Sequence, residues 1–524
     1  MFSGFENVYE YKSLVVILAL CVSFSASFYY IFDTKVDLNG DNAKYYLLAK
    51  SIAQGKGYVS VYTSGEPPTS VYPPGYPALM SGLMVFTESV SAQKVLNGLF
   101  LLLSAVLLFF ISTEVTGSFI LSSIVSFSML VNFHLLKFST MMMSEASFVL
   151  FSLISLFFFA KSGEKEPWRD PYFYLFLLAL AFAFHIRTQG IALVGGFLFY
   201  YLFTKQWRPF SLTAIGFFLL ALPWRIRNRV QDLGSSRYLN ELMQVNPWRP
   251  EKGEVSVVGL LERFLEQGSM LVAKGIPDSI FNFVTPNYQN DILLQEWVVG
   301  LAVLSIMLYG FWALKKYRLF FLGYFLAVFV IVASWSATLD NRYLITFIPF
   351  MQLGFFYGAY VIGRRIVRKA SSNFEGMRVV QVGLLVVALL MIPGLSDLNA
   401  KADRSYPRGY YNYFEIANEL GQERGCENTL VSCRKPALFY LFSNCYTTRY
   451  ASSTDNEKVI STMIEKGVDF VVLDQLGFSS TPRYLYPAIQ DNRDLFTPVL
   501  QKKKPNTYLL RFNRDQARKK FAAD

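Results

Sequence analysis

Three aspartates, Asp33, Asp37 and Asp41, follow the first long apolar run of the chain. They lead into Asp41 to Ala53, a stretch with apolar residues at helical spacing that Gly55 and Gly57 close, which reads as an amphipathic helix lying on the membrane surface. A carboxylate held where membrane meets water can take a proton from an attacking hydroxyl, so Asp41 is a candidate general base. The same position suits a helix cap, because Asp accepts backbone N–H bonds and complements the helix dipole. Spacing alone leaves both readings standing. Glu66 and the run Pro67, Pro68, Pro73, Pro74 and Pro77 belong to the same region. A second set is cationic. Arg225, Arg227 and Arg229 follow Pro223 and Trp224, while Arg187 and Arg342 fall at other helix ends. The guanidinium is a permanently charged planar fork suited to phosphate oxygens. As a set these arginines point to a phosphate at one membrane face; individually, pairing with Asp232, Asp340 or the loop acids is the plainer account. Glu145, after Ser144, reads as a cap-region acid before a site residue. His134 and His185 read as structural histidines, and with Cys21, Cys426, Cys433 and Cys445 they give no zinc spacing.

The elements that carry these residues are set by composition. Of 524 residues, 53% are hydrophobic and only 17% charged, with 49 Phe and 32 Tyr. Soluble chains carry about 25% charge, so disorder, a coiled coil and an ordinary soluble enzyme are excluded. A bilayer-spanning helix needs ~20 apolar residues. Candidate spans lie near 14–32, 94–112, 117–133, 146–160, 172–185, 189–204, 209–223, 295–314, 319–335, 343–363 and 377–394, eleven in all. The first is a full span without a cleavage site. Lys161, Lys165, Arg169, Lys205, Arg208, Lys315, Lys316, Arg318, Arg364, Arg365, Arg368 and Lys369 follow even-numbered spans. The positive-inside rule makes those loops and the N-terminus cytoplasmic. Loops 33–93 and 224–294 and the tail 395–524 then lie outside. The net charge of +11 is accounted for by these loops, and no basic stripe argues for nucleic acid.

Residues 1–394 therefore read as one transmembrane domain and 395–524 as an outer α/β domain. In the tail, helices are expected over Arg408–Glu423, Pro436–Phe442 and Asn456–Lys466. Strands are expected over Thr429–Cys433, Tyr446–Tyr450, Val468–Leu473 and Thr507–Phe512, which suggests a partly parallel sheet. No Gly-rich phosphate loop is present. In an oxidising compartment one disulfide among Cys426, Cys433 and Cys445 is expected, with its partners open.

The acid on a Tyr-containing helix, Gly55-Lys56-Gly57-Tyr58 and Tyr72-Pro73-Pro74-Gly75-Tyr76-Pro77 resemble the GT-C superfamily of multispanning glycosyltransferases. Met143-Ser144-Glu145, His185-Ile186-Arg187-Thr188-Gln189-Gly190, Leu222-Pro223-Trp224-Arg225-Ile226-Arg227-Asn228 and Asn341-Arg342-Tyr343 extend the resemblance across about residues 14–394. It is nearest to the bacterial branch related to protein O-mannosyltransferases and the aminoarabinose transferase of lipid A. The family commonly has an Asp–Glu pair in its first loop, whereas Asn42 follows Asp41 here, so Asp37 competes for the role. The resemblance implies a polytopic α-helical enzyme of the bacterial inner membrane with an extracytoplasmic C-terminal α/β domain. It implies inverting sugar transfer from a polyprenyl-phosphate donor to a lipid, protein or glycan acceptor. Asp41 would be the base, and Arg187, Arg225, Arg227, Arg342 and Tyr343 would hold the donor phosphate. Asp37, Tyr45, Glu66, Tyr76, Glu145 and His185 are further candidates for the substrate site. Some relatives use a divalent metal, but the acids are too scattered to assign one. A flippase of lipid-linked sugars would need midplane helix breaks and inverted repeats, which are not found. A non-catalytic envelope partner would leave the Arg set and first-loop acids without a purpose.

Overall fold

The computed structural model describes residues 3–162, 166–233, 237–336, 341–370, 375–424, 426 and 428–521. Lys165 and Asp340 lie outside the described residues. The membrane part runs α1 Ser3–Ile31, α2 Asp41–Ala53, α3 Gly75–Met84, α4 Val90–Thr116, α5 Phe119–Leu130, α6 Phe133–Ser139 and α7 Glu145–Lys161. It continues with α8 Pro171–Ile186, α9 Gly190–Phe203, α10 Trp207–Val230, α11 Arg237–Met243, α12 Val257–Met270 and α13 Ile276–Ile280. The last four before the tail are α14 Leu294–Ala313, α15 Arg318–Ala333, α16 Ile348–Ala370 and α17 Glu375–Leu389.

Helices occupy all eleven expected span positions. Among the described residues, seven helical segments are long and apolar enough to cross a membrane, or eight with the bent pair α5–α6. The helices α5, α7, α8 and α9 are shorter, at 12 to 17 residues. Local chemistry ends the long ones. Gly117, in the left-handed region, closes α4, and the Ser118 side chain at once caps α5, accepting from the Leu121 N–H.

Two features of this part set the site. The polar break between α8 and α9 places Arg187 in extended backbone, φ −145° and ψ 132°. Gly190 is required there, since a Cβ would lie 2.7 Å from the Phe184 Cα. Gly75 lets the start of α3 press on the same corner, where a Cβ would meet the His185 carbonyl at 2.8 Å. The second feature corrects an expectation. The helix over Asp41–Ala53 forms as read, but it does not lie on a lipid surface. Asn42, Ala43, Tyr45, Tyr46, Leu47, Leu48, Ala49 and Ser51 are buried, because α3 and a helix of the C-terminal domain cover it.

That domain begins with α18 Leu395–Asp403 and α19 Arg408–Arg424. Then come β1 Leu430–Ser432, α20 Pro436–Ser443, β2 Tyr446–Thr448, α21 Asn456–Lys466 and β3 Phe470–Leu473. It closes with α22 Tyr486–Asp491, β4 Phe496–Lys502, β5 Thr507–Phe512 and α23 Arg514–Phe521. The sheet order is β2-β1-β3-β5-β4. The β1–β2 and β1–β3 pairs are parallel and the β3–β5 and β4–β5 pairs antiparallel. Strand β4 was not expected: Pro498 and three Lys at its end mask an edge strand. A disulfide joins Cys426 to Cys445.

One apolar core runs from the bundle through α2 into one face of the sheet, and a second core fills the other face. The first loop is tied to the domain by hydrogen bonds. The Thr447 N–H donates to the Tyr62 carbonyl at 2.7 Å, Lys435 Nζ to the Asn39 carbonyl at 2.6 Å, and the Tyr406 hydroxyl to the Val36 carbonyl at 3.1 Å.

Candidate active site

Asp41 opens α2 after Gly40, whose left-handed φ of 91° turns the chain into the helix. Among the described residues, no backbone N–H of α2 donates to its carboxylate. Oδ1 instead accepts from the Tyr72 hydroxyl at 2.6 Å and Oδ2 from Arg342 Nη2 at 3.0 Å. The capping role is therefore taken by backbone geometry, and the carboxylate is turned to other side chains. Burial alone would raise the Asp41 pKa. Arg342, the Tyr72 hydroxyl and Lys44 outweigh it and hold the group below the usual carboxylate value.

The same guanidinium makes a second ion pair. Arg342 Nε donates to Glu145 Oε1 at 3.1 Å, and Arg187 Nη1 reaches that oxygen at 2.8 Å. Arg187 Nη1 also donates to the Ser144 hydroxyl at 2.9 Å, which lies 3.2 Å from the Tyr45 hydroxyl. Glu145 corrects the cap reading: at 1% side-chain exposure it anchors two arginines. Its Oε2 is buried and has no hydrogen-bond partner among the described residues. Burial by itself would lower the Arg342 pKa, but Glu145 and Asp41 raise it above its ordinary value. An alternating chain results, Asp41–Arg342–Glu145–Arg187, drawn from four separate parts of the sequence. Such a chain is held together because every buried charge in it has an opposite neighbour.

Two cavities share the Asp41–Arg342 end of this chain as a wall. One, about 850 Å³, lies between the bundle and the C-terminal domain and is lined by Asp37, Asp41, Lys44, Arg342, Arg434 and Lys435, among others. The other, about 390 Å³, is more apolar and is lined by Tyr45, Arg187, Gln189, Ile191, Val332 and Trp335. Asp41, Trp248, Arg342 and Tyr343 line both. The Tyr343 carbonyl accepts from Gln189 Nε2 at 2.8 Å, which ties this segment to the start of α9. A cavity of about 870 Å³ beside Arg511 and Arg514 in the C-terminal domain is lined by none of the expected site residues.

The structure thus gathers Asp41, Tyr45, Glu145, Arg187, Arg342 and Tyr343, with Asp37 on the larger cavity. Burial raises the Asp37 pKa, so it differs in character from Asp41. Tyr76 is buried and meets the Tyr45 ring edge-on at 5.0 Å, supporting it from behind. Four expected residues lie elsewhere. Glu66 pairs with Lys56 at 2.7 Å. His185 Nε2 sits 3.1 Å from the Leu220 carbonyl, bracing α8 against α10. Arg225 is exposed and lines neither cavity. Arg227 donates at 2.9 Å to the Thr69 and Tyr58 carbonyls and stacks on Trp224. The reason is that α10 runs on through Val230, so residues two apart point about 200° away from each other. Tyr72 and Trp248 were missed as site residues; the Tyr72 motif was visible, but nothing in sequence joins its hydroxyl to Asp41. Among the described residues, no group of three or more His, Cys, Asp or Glu could hold a metal ion.

Fold and site define a helical multispanning protein with a C-terminal sheet domain. Residues 64–238, which include Glu145 and Arg187, match the family model described as dolichyl-phosphate-mannose-protein mannosyltransferase. The chain is similar in structure to ArnT from Cupriavidus metallidurans bound to undecaprenyl phosphate. The TM-score is 0.60 at 12% identity, covering 95% of this chain and 97% of that one. The Archaeoglobus fulgidus oligosaccharyltransferase, tethered with an acceptor peptide, also gives 0.60, at 11% identity over 95% of this chain and 74% of that one. No curated protein sequence matches the chain.

Proposed function

We propose that the protein is an inverting glycosyltransferase that moves a sugar from a polyprenyl-phosphate carrier to an acceptor at the outer face of a bacterial inner membrane. The single observation that carries this reading is the Asp41–Arg342 pair standing in the wall between two cavities, one of them more apolar than the other. A polyprenyl chain belongs on the apolar side, where Ile191 and Val332 line the space. Its phosphate then meets Arg187 and Arg342. The acceptor enters through the polar cavity. Asp41 takes the proton of its hydroxyl as that oxygen bonds the anomeric carbon from the face opposite the phosphate. The bond from the anomeric carbon to the phosphate oxygen breaks in the same step, inverting the centre. The departing lipid phosphate gains charge, and the two fixed guanidinium groups stabilise it. Glu145 touches neither reactant; it positions both arginines.

The test is donor turnover by purified protein in nanodiscs, with polyprenyl-phosphate sugars and an envelope fraction as the acceptor source. Removing a general base costs ~10²–10⁴-fold in rate, so Asp41→Asn should lose turnover on that scale while Asp37→Asn retains it. Wild-type turnover by folded Asp41→Asn protein would overturn the assignment. Mass spectrometry of envelope glycans with and without the protein identifies the product.

A further inference from the structure

The cavity of about 850 Å³ between the bundle and the C-terminal domain carries more positive charge than the reaction uses. Besides Arg342, its lining includes Lys44, Lys137, Arg434, Lys435 and Arg449, with two carboxylates, Asp37 and Asp41, among the described residues. Asp41 is already paired with Arg342. Two of the C-terminal domain's cations share one ring. The Arg434 guanidinium and the Lys435 ammonium both lie over the Phe478 ring, at 4.5 and 4.6 Å. Arg434 Nε is buried and has no hydrogen-bond partner among the described residues. Lys435 reaches Gly40, the residue before Asp41, closely enough that a methyl there would meet its Nζ at 3.3 Å. Burial and then Arg434 push the Lys435 pKa down to about 8. Helix α20 opens into the same space with Pro436, Ala437 and Leu438, and no side chain caps it. Uncapped N–H groups and crowded cations together form an anion site.

Resting on the glycosyltransferase reading, we infer that Arg434 and Lys435, with Lys44 and Lys137, recognise an anionic group of the acceptor, a phosphate or carboxylate. The C-terminal domain would then be a specificity element, placing the acceptor's anion near α20 and its hydroxyl toward Asp41.

The experiment uses the full chain in phosphatidylcholine nanodiscs, with polyprenyl phosphate saturating the donor side, and measures binding of glycerol 3-phosphate against glycerol. Wild-type protein should bind glycerol 3-phosphate and not glycerol. Each lost charge-assisted contact is worth ~1.5–3 kcal/mol, so R434Q/K435Q should weaken binding at least about tenfold, and R434K/K435R should largely keep it. Should the double variant fail to fold, Lys137→Gln serves, with a smaller loss expected. Equal binding by the folded charge-neutral variant, or no binding by wild type, overturns the inference. Polyprenyl phosphate binding is read in the same samples. If it persists while glycerol 3-phosphate fails to bind, only the acceptor inference falls; if neither binds, the glycosyltransferase reading falls too. Moving to phosphatidylglycerol nanodiscs separates the sources: competition assigns the anion to a lipid headgroup, and unchanged binding assigns it to a water-borne acceptor.

Discussion

Arg342 does two jobs that only a forked cation can do, donating through Nη2 to Asp41 and through Nε to Glu145. Lysine offers one compact charge and cannot span both carboxylates in that geometry. Arg342→Lys should therefore cut donor turnover roughly tenfold to a hundredfold, the equivalent of one charge-assisted contact. Turnover at saturating acceptor checks it; an unchanged rate would make the fork dispensable. The pH profile tests Asp41 itself. Its pKa is depressed in the folded protein, so its basic form persists as pH falls and is lost only below the ordinary Asp value near ~3.9. The acid limb of kcat/KM should accordingly lie below about pH 4. A limb near neutrality would assign the base to another group.

The α8–α9 corner is the element on which Arg187 depends, and glycine is what makes the corner possible. Gly190→Ala drives a methyl onto the Phe184 backbone, and overpacking of this kind costs typically ~1–3 kcal/mol. Thermal unfolding should show that loss, with donor use reduced as Arg187 shifts; unchanged melting would mean the corner yields freely. This corner was legible in sequence as a polar break, because charged residues interrupt an apolar run. The positions of the spans were legible for the same reason. The packing of α2 was not, since apolar residues at helical spacing read alike whether lipid or protein covers them. Nor was the charge chain: Glu145 and Arg342 are 197 residues apart, and no local pattern couples them. The fate of Arg225 and Arg227 turned on where α10 ends, seven residues beyond the expected span.

At the scale of the whole molecule, the first loop and the C-terminal domain must share one side of the membrane. Backbone and side-chain hydrogen bonds join Tyr62 to Thr447 and Asn39 to Lys435. The orientation expected from the loop charges puts that side outside, where an oxidising compartment suits a disulfide between Cys426 and Cys445. Thiol trapping in intact cells should find those two cysteines oxidised and Cys433 reduced and buried. Finding Cys426 and Cys445 reduced would reverse the orientation. The shared guanidinium also has a thermodynamic consequence. Because Arg342 suppresses the proton affinity of Asp41, any ligand that draws Arg342 away must restore that affinity, and the coupling is reciprocal. On the proposed mechanism, protein without donor would hold Asp41 at its weakest as a base, and arrival of the lipid phosphate would strengthen it. Binding of polyprenyl phosphate should be accompanied by proton uptake in weakly acidic buffer, visible as a calorimetric enthalpy that tracks the ionisation enthalpy of the buffer. A binding enthalpy independent of buffer would dissolve the link.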